Sequence, residues 1–270
     1  NMSLTALPLR RLLPLVLTLA VALLLGACAT TPSTTRPDAA PAVTADSSSP
    51  FYGWAQRSFP GKAATRYRIV QVADLPGANQ ALRTEADRSA SMFFRRLDPT
   101  AAQPTRVSFG WKVEVLPSAA SLGKREAEDS AVRVILAFDG DAARLPMRDR
   151  MLFELAHAVT GETPPFAMLM YVWDVTSPVG EVVQSNSTSR IRKIVLNGAD
   201  SALGQWHLHE RDIVEDFRRA YGEPPGPLIG VGVMSDADNT ASRVLAWYSP
   251  VRLLAPSSSA AAASASPAPP

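Results

Sequence analysis

Two stretches of this 270-residue chain place apolar side chains at every second position, and that period of two limits the fold more than any other feature. Val107, Phe109, Trp111, Val113 and Val115 are separated by Ser108, Gly110, Lys112 and Glu114. Val132, Val134, Leu136 and Phe138 alternate with Ala131, Arg133, Ile135 and Ala137. Successive side chains of a β-strand point to opposite faces, so each stretch predicts a half-buried strand. Less regular apolar runs predict further strands at 67–72, 82–86, 92–97, 167–174, 191–196, 228–234 and 244–248. Gly, Pro, Asp and Asn lie between them, as turns require. Strands with one apolar face and no regular helix between them predict antiparallel sheets packed face to face.

Two helices interrupt this pattern. Pro146 suits a first helical position and Gly161 the position just past a helix end. Between them Met147, Met151, Leu152, Leu155 and Val159 form one apolar face. A second helix begins near Asp212, with Glu215 at capping-box spacing, and ends at Gly222 before Pro224-Pro225. Its apolar face is Ile213, Val214, Phe217 and Tyr221. Both helices are expected to pack as covers on the sheets. The fold expected is mainly β, an antiparallel, jelly-roll-like β-sandwich with two helical insertions.

The N-terminus carries an address. Arg10 and Arg11 precede the apolar run 12–25, which is shorter than the roughly 20 residues a membrane-spanning helix needs. A basic start, a short apolar stretch and small residues at its end describe a secretory signal. Leu25-Gly26-Ala27-Cys28 resembles the lipobox of bacterial lipoproteins, which implies cleavage and acylation of Cys28. Cys28 is the single cysteine, so an exported domain has no internal disulfide. The expected organisation is a signal at 2–27, an acylated Cys28 and flexible stalk over 28–50, a folded domain at 51–254 and a small, Ala/Ser/Pro-rich tail at 255–270. Ala29 follows the cysteine where inner-membrane lipoproteins often carry Asp, which points to the outer membrane, facing the periplasm. The chain has 27 basic side chains and 25 acidic ones, and loss of Arg10 and Arg11 with the signal leaves it formally neutral. A neutral domain lacks the electrostatic footprint of a nucleic-acid binder.

Several segments together resemble an uncharacterised bacterial family, domain of unknown function 3047. They are Phe109-Gly110-Trp111-Lys112-Val113, Glu128 to Val134 with Phe138-Asp139-Gly140, and Leu169-Met170-Tyr171-Val172-Trp173. Leu203-Gly204-Gln205-Trp206, Glu210-Arg211-Asp212, Asp216 to Glu223 and Met234 to Thr240 complete the set in the expected order. At 236–240 the family's usual Asp-Thr-Asp-Asn-Thr reads Asp-Ala-Asp-Asn-Thr, which removes one hydroxyl. The resemblance implies export but no activity. A looser similarity is to jelly-roll carbohydrate-binding modules, in which a Trp-containing strand also leads to an Asp-bearing segment; architecture of this kind does not give function.

The candidate ligand-binding residues are Asp129, Arg133, Tyr171, Trp173, Asp236, Asp238 and Asn239. Asp236, Asp238 and Asn239 put three oxygen-bearing side chains within four residues, a set that could hold Ca²⁺ or simply form a polar turn. Arg133 shares a strand side with Asp129, where a planar guanidinium could grip a carboxylate or a sugar, or pair with the aspartate itself. Tyr171 and Trp173 share a strand face and could stack on sugars, or fill the core. Gly230 and Gly232 leave a bare strip on another strand. His207 and His209 share one side of a strand, but a third metal ligand is not evident.

The sequence shows no Gly-x-Ser-x-Gly elbow, no Walker loop and no second His at zincin spacing after His209-Glu210. The reading that follows is a non-catalytic envelope lipoprotein, tethered to the membrane through lipid, that binds a carbohydrate or another envelope polymer without a cofactor other than Ca²⁺. Two alternatives stand beside it: a polysaccharide hydrolase or lyase using paired carboxylates, and a scaffold that docks an envelope protein on its helices.

Overall fold

The computed structural model describes residues 45–255. The expected signal segment, Cys28, the expected stalk up to residue 44 and the expected tail from residue 256 lie outside the described residues. The folded region begins a little before residue 51: Asp46 caps a turn through the backbone N–H of Ser48, and the Ser49 hydroxyl donates to Gln80 Oε1 at 3.0 Å.

The strands, in chain order, are β1 (Ala55–Ser58), β2 (Arg66–Gln71), β3 (Gln80–Asp87), β4 (Ala90–Arg96), β5 (Arg106–Val115), β6 (Ser130–Phe138), β7 (Ala167–Trp173), β8 (Val182–Gln184), β9 (Ile191–Asn197), β10 (Trp206–Asp212), β11 (Leu228–Asp236), β12 (Arg243–Tyr248) and β13 (Arg252–Leu254). Helix α1 (Met147–Thr160) lies between β6 and β7, and α2 (Ile213–Tyr221) follows β10 directly. Seven strands form one sheet in the order β1-β4-β11-β6-β7-β9-β8. The other runs β10-β5-β12-β3-β2, with β13 pairing to β5 beyond the end of β12. Every pairing is antiparallel except β7 with β9, which is parallel because the long connection from residue 174 to 190 returns the chain to the same end. The architecture is therefore the expected β-sandwich.

The core lies between the sheets. Val107, Phe109, Trp111 and Val113 project into it from β5, and Val132, Val134, Leu136 and Phe138 from β6. Val115 departs from the expected alternation and is 42% exposed, because a register shift between β5 and β12 turns the end of β5 outward. A second apolar cluster, Leu122, Ile135, Met170, Val172 and Val195, lies on the opposite side of β6, β7 and β9, so these central strands are buried on both faces. The bare strip at Gly230 and Gly232 is filled by the Phe94 ring, which a Cβ at either position would strike at 2.0 and 2.8 Å.

The two helices differ. In α2 the Asp212 carboxylate accepts from the Glu215 backbone N–H at 2.8 Å, Gly222 closes the helix with φ of 74°, and Ile213 and Phe217 enter the core. In α1 the ends fall where expected, with Gly161 at φ of 72°. Its apolar face, however, does not cover the sandwich: Met147, Met151, Leu155 and Val159 are all more than 60% exposed. Asp149, Phe153 and Ala156 turn inward instead, and the Thr188 and Ser189 hydroxyls donate to the Asp149 carboxylate. That buried acid, on the face opposite the methionines, fixes which side of the helix turns inward.

Candidate functional site

Two regions concentrate chemistry, one on the outer side of each sheet. At the end of β6 and β11 the sequence-predicted acids meet. Asp129, Asp236 and Asp238 each offer an oxygen within 4.8 Å of the others. Arg133 grips Asp236 with both arms of its fork, Nε to Oδ1 at 3.1 Å and Nη2 to Oδ2 at 2.8 Å, and the Ser130 N–H donates to Oδ1 at 2.9 Å. Asp129 accepts from the backbone N–H of Asn239 at 3.2 Å, from that of Thr240 at 2.7 Å and from the Thr240 hydroxyl at 2.6 Å. Asn239 Nδ2 donates to the Arg125 carbonyl at 3.0 Å, and the Lys62 ammonium pairs with Asp238.

Burial works against the charge of Arg133, but Asp236 beside it raises the guanidinium pKa above its ordinary value. A neighbouring pair extends the network. Burial, and then the charge of Arg133, push the Lys193 ammonium down to about 8, against the pull of Glu128. Burial pushes Glu128 up, yet Lys193 and Arg133 hold its carboxyl below the usual range. One cation could bridge the three aspartates by distance alone. The donor set does not fit a Ca²⁺ cage, which needs six to eight free oxygens. Both oxygens of Asp129 and of Asp236 are already committed to N–H and O–H donors, and Arg133 and Lys62 supply the compensating charge. The arrangement locks the 237–242 turn onto the start of β6, and it presents neither Asp129 nor Asp236, 1% and 4% exposed, to a substrate.

The second region is a row of side chains across the outer face of the six-stranded sheet. Trp206 on β10 is paired with Lys112 on β5, Lys112 with Trp247 on β12, Trp247 with Arg83 on β3, and Arg83 with Arg68 on β2. Directly paired residues share one face of a sheet, and inward neighbours such as Trp111, Tyr248 and Leu82 show that this face is the outer one. Lys112 Nζ stands 5.5 Å from the Trp206 ring centre and 4.9 Å from that of Trp247; Arg83 Cζ lies 5.6 Å from Trp247 on the other side. The two tryptophans are two strand spacings apart, about 9–10 Å. Both are half-buried. Asp74 anchors Lys112 at 2.7 Å, and that ammonium holds the Asp74 carboxyl below its usual range.

Beyond Arg83 the row opens into a groove of about 490 Å³ with Arg66, Arg83, Arg88 and Arg243 against Glu85 and Asp87. Glu85 pairs with Arg83 and Arg66, and Asp87 with Arg88. Arg243 has no ion pair among the described residues. The face thus offers two indole rings, one fixed ammonium between them and an excess of guanidinium at one end.

Residues 52–252 match the protein family of unknown function DUF3047. The chain belongs to this family. No curated protein sequence matches it. Among solved structures it is similar to the family 11 carbohydrate-binding module of the cellulosomal cellulase Lic26A-Cel5E of Clostridium thermocellum, with a TM-score of 0.36 and 10% identity over 76% of this chain and 88% of that one. The same type of module from Clostridium thermocellum, in complex with a β-1,3-1,4-mixed-linked tetrasaccharide, gives 0.33 and 12% over 79% and 94%. The cellulose induced protein Cip1 gives 0.33 and 9% over 75% and 91%.

In this DUF3047 domain five of the seven predicted site residues converge: Asp129, Arg133, Asp236, Asp238 and Asn239. Tyr171 and Trp173 do not join them, and their expected place as a stacking platform is corrected by their burial at 0% and 2% exposure. Both project between the sheets, because β7 is a central strand with no solvent side. The Tyr171 hydroxyl donates to Asp216 at 2.9 Å and its ring stacks on Phe109, while Trp173 meets the edge of His207. His207 and His209 also turn inward, not to solvent. His209 packs on Trp111 and Phe109 and donates from Nε2 to Asn197 Oδ1 at 3.0 Å; burial, His207 and Arg211 push it down to about 4. Trp247, Lys112 and Arg83, all half-buried, carry the outer row, and sequence reading missed all three. Their signal was present in β12, where Val244, Ala246 and Tyr248 share one side and leave Leu245 and Trp247 on the other.

Proposed function

We propose that this domain is a non-catalytic binding module whose six-stranded face holds an extended, acidic polysaccharide. One observation carries the reading: the unbroken row Trp206–Lys112–Trp247–Arg83–Arg68, running across five strands on a solvent-facing sheet. Sugar rings present an apolar C–H face that packs on indole, and their hydroxyls and carboxylates take hydrogen bonds from ammonium and guanidinium groups. The separation of the two rings suits alternate residues of an extended glycan, with the intervening unit over Lys112. The Arg66–Arg243 groove gives the face its preference for acidic sugars. Anchoring at Cys28, on the periplasmic face of the outer membrane, would hold such a module against the polymers of the cell envelope; metabolic labelling with a fatty acid, lost in Cys28→Ser, tests that part.

The binding reading is tested by affinity electrophoresis through gels containing uronic-acid polymers or neutral β-glucans. Retardation by the acidic polymer, weakened roughly tenfold or more in Trp247→Ala, supports it, since buried aromatic anchors dominate such interfaces. Equal mobility of the wild-type and Trp247→Ala chains in every gel removes it.

A further inference from the structure

Helix α1 carries an apolar surface that the sandwich does not use. Met147, Met151 and Leu155 repeat at four-residue spacing along one side, with Leu152 and Val159 beside them. Their exposures are 69%, 63%, 61%, 37% and 64% in that order. Monomeric domains seldom leave so contiguous an apolar patch in water. Leu152 also leads into a groove of about 460 Å³ between the helix and the outer side of β7 and β9, floored by Phe153, Met168 and Ile191. That volume falls within the range of small-molecule sites, about 300–1,000 Å³. Arg125 and Arg148 stand at its margin, and neither makes an ion pair among the described residues. Arg190, on the same margin, is held by Glu223 at 3.3 Å and stacks on Phe166 and Tyr221.

An apolar stripe, an apolar groove beside it and unpaired guanidiniums at the join are the parts of an interfacial amphipathic helix. Its apolar side enters the boundary of head groups and acyl chains, while long cationic side chains reach the phosphates. We infer that α1 and the groove beneath it dock on a bilayer containing anionic lipid. Met147, Met151, Leu155 and Val159 enter the interface, the groove admits part of an acyl chain, and Arg125 and Arg148 meet lipid phosphate. The inference is independent of the glycan face, which lies on the other sheet. It agrees with the sequence, in which the acylation candidate Cys28 precedes Ala45 by 17 residues, a tether that spans at most about 60 Å.

Cys28 is the single cysteine, so a Cys28→Ser, Leu155→Cys chain carries one thiol for an environment-sensitive fluorophore. A control chain carries the label at Leu208→Cys, 53% exposed on β10 of the other sheet. Both are mixed with phosphatidylcholine vesicles, with and without phosphatidylglycerol, and with monomeric dioctanoyl phosphatidylglycerol. The local label reads contact at the helix itself, whatever the N-terminal apolar segment does. The expected result is a blue shift at position 155 with phosphatidylglycerol vesicles and none at position 208. Adding Arg125→Glu and Arg148→Glu should weaken the shift at least about tenfold. A label at 155 that stays in water overturns the proposal. So does an equal response at 208, which means indiscriminate adsorption, and so does a response to the monomeric lipid alone, which means a soluble amphiphile and not a bilayer.

Discussion

The two outer faces of the sandwich use their charged side chains in opposite ways. On the seven-stranded sheet Arg133, Asp236 and Lys193 are almost wholly buried and close on one another and on Glu128, with donors filling the remaining acceptor positions. On the six-stranded sheet Lys112 and Arg83 are partly covered and pair with Asp74 and Glu85, while Arg68 is exposed and has no ion pair among the described residues. A buried ion pair contributes little net stability relative to a packed apolar pair, but breaking it leaves an uncompensated charge. An exposed cation contributes little to the fold and keeps its hydrogen-bonding capacity for a ligand. The first face is therefore closed on itself, whereas the second leaves the exposed Arg68 and the half-buried indole rings for a ligand. That the sequence nominated the first as the site shows how alike the two look when only residue types are visible.

The comparison breaks most readily at Arg133. Arg133→Ala should cost about 3–5 kcal/mol, because Asp236 is left buried and unpaired. For a domain of this size that is a fall in Tm of roughly 6–20 °C by calorimetry. Replacing both partners by apolar residues, Arg133→Met with Asp236→Leu, should restore most of it, whereas no recovery in the double variant would show that the pair does more than neutralise itself.

A second effect separates core from surface by pH. His209 titrates near 4 in the folded domain, below its free value of 6.5, so between these values the unfolded chain binds the extra proton. Stability from this residue is full above about pH 6.5 and is lost as the pH falls towards 4, by up to about 3 kcal/mol. Thermal melts of His209→Gln should flatten over that window, and an unchanged profile would locate the acid sensitivity elsewhere. Next comes Trp247→Ala, expected to weaken polysaccharide binding by roughly 10- to 100-fold while moving Tm by only a few degrees. A large loss of Tm would make Trp247 a packing residue and erase the contrast between the faces. The smallest change is Asp74→Ala, which frees Lys112: Tm should move by no more than about 2 °C. Neutral or tighter binding of the acidic polymer is expected, since a competing carboxylate is gone.

Much of the sandwich was legible because its strands obey simple patterns. In β5 the inward Val107, Phe109, Trp111 and Val113 contrast with their outward neighbours, and the caps of α2 follow from Asp212 and Gly222. Strands β1, β8 and β13, three or four residues each, are too short for any period to show. The parallel β7–β9 pairing depends on a long connection whose path no local pattern encodes. The site was harder. Alternation says that Tyr171 and Trp173 share a side, not that the side faces the core. The clue lay in the strand as a whole, since Met168, Met170 and Val172 make its other side apolar too, the mark of a central strand. Helix α1 shows the opposite limit, for its apolar stripe was visible but nothing local says whether a stripe meets the protein's own core or an external surface.

The central claim is that the Trp206–Trp247 face binds polysaccharide, and the five tryptophans of the chain offer a direct test. Their indole N–H signals, resolved by nuclear magnetic resonance, can be followed while an acidic oligosaccharide is added. Trp206 and Trp247 should shift together and saturate, while Trp54, Trp111 and Trp173, all buried, stay in place. Saturable binding that leaves the Trp206 and Trp247 signals unmoved would contradict the account.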